Sequence, residues 1–182
     1  MAQQNSRREF MKNTSALAAG LFVAPAVTRA ASEQKLKFGI VGAGGRGGAG
    51  VAAGMNEEFV ALCDVDLGNR AKGAVKRVKD KFAGVKVYSD YREMFDKHKD
   101  LDAVWVATPD HNHFAASIRA LDNGANLYCE KPLTHNIWES RRLREVAAAK
   151  KAVTQMGNQG HSSDSIRLIV EYIRGGKLGD VT

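Results

Sequence analysis

Cysteine is scarce in this chain: its 182 residues include only two, Cys63 and Cys129. Both sit in apolar, strand-like runs, "FVALCDV" and "NLYCE". A thiol packs there as a small hydrophobe, so both read as buried thiols, with a disulfide between them left open. A membrane-spanning run is also missing. The apolar stretch from Ala16 to Val27 is too short, and too rich in Ala and Gly, to cross a bilayer as a stable helix. Positive charge is present but not concentrated. Of the net +7, the first thirty residues carry four Lys/Arg and one Glu, and the rest is spread along the chain. Short basic pieces such as "KRVKDK" and "RRLR" fall in helical patterns with acidic neighbours and read as solvated helix faces. A nucleic-acid strip needs its phosphate-neutralising charges gathered together, so that function class is set aside. Metal-ligand spacing is absent too. His111 and His113 in "HNH", and the distant His161, have no cysteine or carboxylate at ligand spacing. His98 and His135 read as surface histidines. No low-complexity tract or internal repeat follows the first thirty residues, beyond a strand–helix rhythm.

The N-terminus is distinctive. Arg7 and Arg8 precede Phe10 and Lys12, the weakly apolar stretch follows, and small residues come next in "APA" (24–26) or "TRA" (28–30). Paired arginines, an apolar run and a small-residue cleavage site read as a twin-arginine export signal over residues 1–30. The expectation is an exported, periplasmic or extracytoplasmic protein with no membrane contact beyond that signal.

After the leader, short apolar runs alternate with helical patterns. Strands are expected at 37–41, 59–65, 85–88, 102–108, 126–130 and 152–156. Helices are expected at Gly47–Met55, Leu67–Phe82, Tyr91–Lys97, His113–Asn123, Ile137–Lys150 and Ser163–Arg174. The strands are apolar almost throughout, as strands covered on both faces are. Six strands alternating with six helices predict an α/β fold, a doubly wound parallel sheet with right-handed crossovers, over 35–175.

"GAGGRG" (Gly42 to Gly47) follows the first strand and opens a helix. In that context it reads as a dinucleotide-binding turn. Gly42 permits the tight turn, Gly44 lets the backbone approach a pyrophosphate, and Gly47 lets the helix pack close to the strand. Gly45 and Arg46 complete the cofactor-facing loop. Asp64 closes the second strand, where a carboxylate accepts the hydroxyls of an adenosine ribose and favours NAD. Asp66 is expected to cap the following helix. Arg46 and Arg70 could tolerate a 2′-phosphate, so NADP stays possible.

The later strand ends carry "VATPDHNHFAAS", "YCEKPL" and "MGNQGH". In an open parallel sheet, ligands bind at that edge. Together with the glycine turn, these stretches resemble the Gfo/Idh/MocA oxidoreductase family, from about Leu36 to Thr182. The resemblance implies an NAD(P)-binding Rossmann domain of an enzyme acting on the CH–OH group of a sugar or polyol. It implies Lys131 as the catalytic lysine beside the nicotinamide and the reacting hydroxyl. Glu130 would contact the nicotinamide ribose region. Thr108, Pro109, Asn112 and His113 would line the cofactor, and Gln159 would approach the nicotinamide end. A cis peptide before Pro132 is a further implication. Burial beside the cofactor ring is expected to draw the Lys131 pKa down from the ordinary lysine range.

The family also has a second, α+β substrate domain, usually through which its homo-oligomers form. Gly176–Gly179 resembles the lead into it, so residues 176–182 are expected to start a domain that this sequence lacks. Exposed apolar surface would then follow. Three readings stay open: the cofactor half of an exported oxidoreductase, an NAD-dependent glycoside hydrolase that oxidises and re-reduces its sugar, and an inactive nucleotide-binding module.

Overall fold

A computed structural model of the chain describes residues 34–180. The leader expected over 1–30 lies outside the described residues. From Leu36 onward, six strands alternate with six helices. The strands are β1 (Lys37–Val41), β2 (Glu58–Cys63), β3 (Lys86–Tyr88), β4 (Ala103–Val106), β5 (Asn126–Glu130) and β6 (Thr154–Gly157). The helices are α1 (Gly48–Gly54), α2 (Lys72–Lys81), α3 (Tyr91–Lys97), α4 (His113–Asp122), α5 (Ile137–Lys150) and α6 (Asp164–Arg174).

All strands pair in parallel, in the order β3-β2-β1-β4-β5-β6. This is the doubly wound arrangement that continuous apolar strands predict. Each face of the sheet carries its own core. On one, Ile40, Phe59 and Leu62 pack under Val51 of α1 and Val78 of α2. On the other, Val41, Val104 and Leu127 pack under α3, α4 and α5 through Phe95, Leu121 and Leu143. Burying that much apolar side chain supplies most of the drive to fold, at roughly 25 cal/mol per Å2 removed from water.

Side-chain caps mark the starts of three of the six helices, α3, α5 and α6. Asp90 accepts the Arg92 N–H at the start of α3, and Asn136 accepts the Glu139 N–H at the start of α5. Glu139 returns a bond to the His135 N–H at 2.8 Å. Such reciprocal bonds satisfy donors that the first helical turn leaves free.

Several boundaries differ from expectation, among them the fourth strand, which spans Ala103–Val106 and not 102–108. The second helix starts at Lys72, not Leu67, because residues 67–71 form a turn in which the Ala71 N–H donates to the Asp66 carbonyl. Asp66 therefore does not cap it; the cap position is Ala71, with no side-chain bond. The second strand ends at Cys63, where the Asp64 side chain turns back towards the first loop. The sixth strand starts at Thr154, because Ala152 still donates to Ala147 of α5 and the Val153 N–H is taken by the Asn126 side chain. His98, expected at the surface, is half-buried and lies 2.8 Å from the Tyr88 hydroxyl.

The register settles the two cysteines. Cys63 pairs with Val41, Val41 with Val106, and Val106 with Cys129. The thiols therefore stand in one row, three strand spacings apart. At about 4.8 Å per spacing that is roughly 14 Å, far beyond the Cα span of a disulfide. Burial pushes the Cys63 thiol up to about 12 and the Cys129 thiol up to about 11. Both pKa values are raised on folding, so this contribution is complete below the unfolded thiol value and is lost as pH climbs above it. Stability is expected to fall by on the order of 2–3 kcal/mol between pH 8 and pH 10 from these two groups. Urea titrations at both pH values check this. A Cys63→Ala/Cys129→Ala variant that keeps the full pH dependence would refute it.

α6 stands apart. Ile166, Ile169, Val170 and Ile173 form an apolar stripe, yet each is exposed among the described residues. No helix among the described residues is long and apolar enough to cross a membrane.

Candidate functional site

β1 lies at the centre of the sheet, between β2 and β4. The chain leaves β1 for a helix on one face and leaves β4 for a helix on the other. The diverging loops open a crevice at the carboxyl ends of these strands, the place where open α/β sheets bind ligands. It encloses about 350 Å3. Gly42, Gly44, Gly45 and Arg46 line one side and Thr108, Pro109 and Asn112 the other. Asp64 and Arg70 close the end towards β2.

The glycine turn is required sterically. Gly42 adopts φ +85°, and a Cβ there would lie 2.5 Å from the Ala107 carbonyl oxygen. Its N–H donates to the Cys63 carbonyl at 2.8 Å, tying the turn to β2. A Cβ on Gly47 would overlap the Gly42 carbonyl oxygen. That contact brings the start of α1 close against the end of β1, the role that the spacing predicts for this glycine.

Asp64 reaches the crevice wall, but its carboxylate is largely engaged. Oδ2 accepts the Ala43 and Gly44 N–H groups at 2.8 and 2.9 Å. Oδ1 accepts the Asp66 N–H at 2.9 Å. A carboxylate offers about four lone-pair sites, so one remains for a ribose hydroxyl. Across the crevice, the Thr108 hydroxyl oxygen is buried with no hydrogen-bond partner. An orphaned polar atom in such a wall calls for a polar ligand. The turn and this hydroxyl fit an elongated polar nucleotide.

The ends of β5 and β6 join the glycine turn through one network. Glu130 is 3% exposed. The Gln159 amide donates to both Glu130 carboxylate oxygens, at 2.9 and 3.1 Å, and to the Tyr128 hydroxyl at 2.9 Å. Arg46 reaches over from the turn, 3.4 Å from the Gln159 side-chain oxygen and 3.8 Å from Glu130. Tyr128 stacks on Trp105 of β4 with ring centroids 3.7 Å apart. Buried charge is tolerated where it is paired and hydrogen-bonded, and this network provides both.

Lys131 follows Glu130 directly and is joined to Pro132 by a cis peptide. It is exposed, so the described residues do not supply the burial expected of it. Among them it makes no ion pair, with Glu130 or any other acid. His113 departs from the expected placement on the cofactor wall. Its ring is 1% exposed and turned inward. Nδ1 lies 2.5 Å from the Pro132 carbonyl and Nε2 2.8 Å from the Thr108 carbonyl. It thereby links the β4 loop to the Lys131–Pro132 segment. Gly47, Glu130, Lys131 and Gln159 also lie outside the crevice lining itself. Among the described residues, no cluster of three His, Cys, Asp or Glu could hold a metal, and His111 and His161 are exposed on separate loops.

Sequence reading missed Trp105 and Tyr128, which look like ordinary strand residues. It also missed Ser89 and Tyr91, which line the crevice from beyond β3. Their position after a strand's carboxyl end was the available signal.

Residues 36–158 match the family model described as "Oxidoreductase family, NAD-binding Rossmann fold" (Gfo/Idh/MocA). The chain is 35% identical over 97 residues to the D-xylose 1-dehydrogenase (NADP(+)) of Hypocrea jecorina, covering 53% of this chain and 24% of that protein. It is 29% identical over 154 residues to a glycosyl hydrolase family 109 protein of Streptomyces niveus, covering 80% and 31%. The scyllo-inositol dehydrogenase of Lactobacillus casei, solved with NAD(H) and scyllo-inositol, superposes with a TM-score of 0.61 at 28% identity, over 82% of this chain and 44% of that one. The chain thus spans less than half the length of these relatives. With residues 36–158 matching that model, on a parallel sheet that carries the glycine turn, the chain belongs to the Gfo/Idh/MocA family of oxidoreductases, in its NAD-binding Rossmann part.

Proposed function

We propose that this chain is the cofactor-binding part of an exported oxidoreductase that acts on the CH–OH group of a sugar or polyol. The observation that carries the reading is the crevice at the β1/β4 switch point, with its glycine turn on one side and the Glu130–Lys131 strand end beside it. NAD bound there supplies a ring that accepts the hydride. The chain's residues bind and orient. The Gly45 and Arg46 N–H groups, which the other hydrogen bonds of the turn leave free among the described residues, take the phosphates, and the last free lone pair of Asp64 accepts a ribose hydroxyl. The Gln159–Glu130–Arg46 network holds the nicotinamide end rigid. The Lys131 ammonium stabilises the alkoxide that develops as the substrate hydroxyl loses its proton, and relays that proton.

Adding NAD to about 100 times its dissociation constant should stabilise the chain by about 2.7 kcal/mol. That corresponds to a rise of roughly 5–10 °C in melting temperature for a chain of this size. No shift at millimolar NAD or NADP would sink the reading.

The twin-arginine leader supports export of the already folded protein. Outside the cytosol a spent cofactor has no free pool to replace it, so the reading includes tight retention and regeneration in place. Mass spectrometry of nucleotide released on denaturing the purified protein tests this, and freely dialysable cofactor counts against it. Similarity to the glycosyl hydrolase family 109 protein supports a second reading, hydrolysis through transient oxidation of the sugar. Release of a chromogenic aglycone without net NADH is its signature.

A further inference from the structure

Two backbone carbonyls converge on one buried ring. His113 is the first residue of α4 and is 1% exposed. Its Nδ1 stands 2.5 Å from the Pro132 carbonyl oxygen, and its Nε2 stands 2.8 Å from the Thr108 carbonyl oxygen. A carbonyl oxygen can only accept, and a neutral imidazole carries one N–H and one bare lone pair. A neutral ring would satisfy one carbonyl and press its lone pair against the other at hydrogen-bonding distance. Only a ring with a proton on each nitrogen donates to both. Bonds from such a cation are shorter than neutral ones and about twice as strong.

A buried cation is costly unless it is hydrogen-bonded and met by opposite charge. Both ring nitrogens have their acceptors here. Opposite charge is at hand in Glu130, which is 3% exposed and ends β5, two residues before Pro132. Among the described residues its one ion pair is the loose 3.8 Å contact with Arg46. The other titratable side chains on the two joined loops are Asp110 and His111 on one and Lys131 and His135 on the other, all exposed.

The two carbonyls belong to different parts of the site. Thr108 lines the cofactor crevice. Pro132 directly follows Lys131. Among the described residues no backbone–backbone hydrogen bond joins residues 107–112 to residues 131–136. The ring of His113 supplies the link that the backbone does not.

We propose that His113 is a positioning residue for Lys131: an imidazolium that donates to both carbonyls and so holds the crevice wall and the lysine segment at one spacing. This role rests on the dinucleotide reading of the crevice and on the place of Lys131 beside the nicotinamide.

Heteronuclear NMR of the chain with isotope-labelled histidine reads the ring directly. Two protonated ring nitrogens are expected for His113 at neutral pH, the signals being those that vanish in His113→Asn. One protonated and one bare nitrogen overturns the proposal. Two variants separate the ties, because an asparagine amide nitrogen reproduces Nδ1 and a glutamine amide nitrogen reproduces Nε2. His113→Asn keeps the tie to Pro132 and loses the tie to Thr108. It should weaken NAD binding about tenfold in calorimetric titration, the scale of one buried hydrogen bond. Saturating NAD should still shield its Lys131 from acetylation, read by mass spectrometry, as in the parent chain. His113→Gln keeps the tie to Thr108 and loses the tie to Pro132. It should bind NAD as the parent does, with the shielding of Lys131 reduced about tenfold. A residue that only supports the fold would lower the melting temperature and move both readouts together. That result, like parental values in both variants, overturns the proposal. If the parent chain binds no NAD, the dinucleotide reading fails and this role fails with it. NAD binding without any shielding of Lys131 refutes the place of Lys131 and this role, and leaves the crevice reading standing.

Discussion

Gly47→Ala is expected to lower the melting temperature by roughly 10 °C and to abolish measurable NAD binding, the loss in stability being about 3 kcal/mol or more. A single methyl group has this effect because of where it must go. Gly47 has an ordinary φ of −58°, so alanine meets no conformational barrier. The new Cβ, however, would overlap the Gly42 carbonyl oxygen, a backbone atom with no rotamer to escape into. Either the start of α1 moves away from β1 or the Gly42 turn opens. The second route also breaks the Gly42 bond to Cys63. Both displace the loop from Gly44 to Arg46 that lines the crevice. Gly48→Ala is the companion control: its Cβ meets open space, and alanine favours the helix. It should retain or raise the melting temperature. Thermal melts of both variants, with and without NAD, check the pair. Equal behaviour would mean that the turn is looser than its contacts indicate.

Asp64→Ala is expected to cost about 2–4 kcal/mol of stability and at least tenfold in NAD affinity. One carboxylate satisfies three backbone N–H groups, from Ala43, Gly44 and Asp66. Ala43 is buried and Gly44 half-buried, and each buried donor left unpaired costs about 1–3 kcal/mol. Asp64→Asn keeps the shape but replaces one acceptor by an NH2 group. It can serve the Ala43–Gly44 side or the Asp66 side, but not both, and should fall between the parent and Asp64→Ala. A residue that only reads the ribose would lose affinity on substitution without loss of stability. Chemical denaturation of the three proteins in the absence of nucleotide discriminates these roles. An unchanged midpoint for Asp64→Ala would refute the structural one.

Much of this architecture is legible in the residues. The strands are apolar on both faces, so a parallel sheet covered by helices on each side follows from pattern alone. The glycine spacing and the polar strand ends mark one edge of that sheet. Other features depend on neighbours distant in sequence. His113 sits in a polar loop motif, yet its ring turns inward between the carbonyls of Thr108 and Pro132. Trp105 and Tyr128 look like sheet residues until β4 and β5 align and stack them. Arg77 reads as part of a solvated helix face, and Arg70 as a neighbour of the ribose site. They share one cleft with Gly45 and Gly48 only once α1 and α2 lie side by side.

The sequence by itself determined the order of strands and helices, the place of the turn and the strand ends that meet there. Those depend on local preference and on hydrophobic period, which act over a few residues. The tertiary structure decided which atoms each polar side chain satisfies. Asp64 is drawn into the first loop, Glu130 is held by Gln159 and Arg46, and Lys131 is left exposed. The physical reason is that hydrogen bonding reaches only about 3 Å. Its partners are chosen by register and loop path, which form only when the whole sheet does.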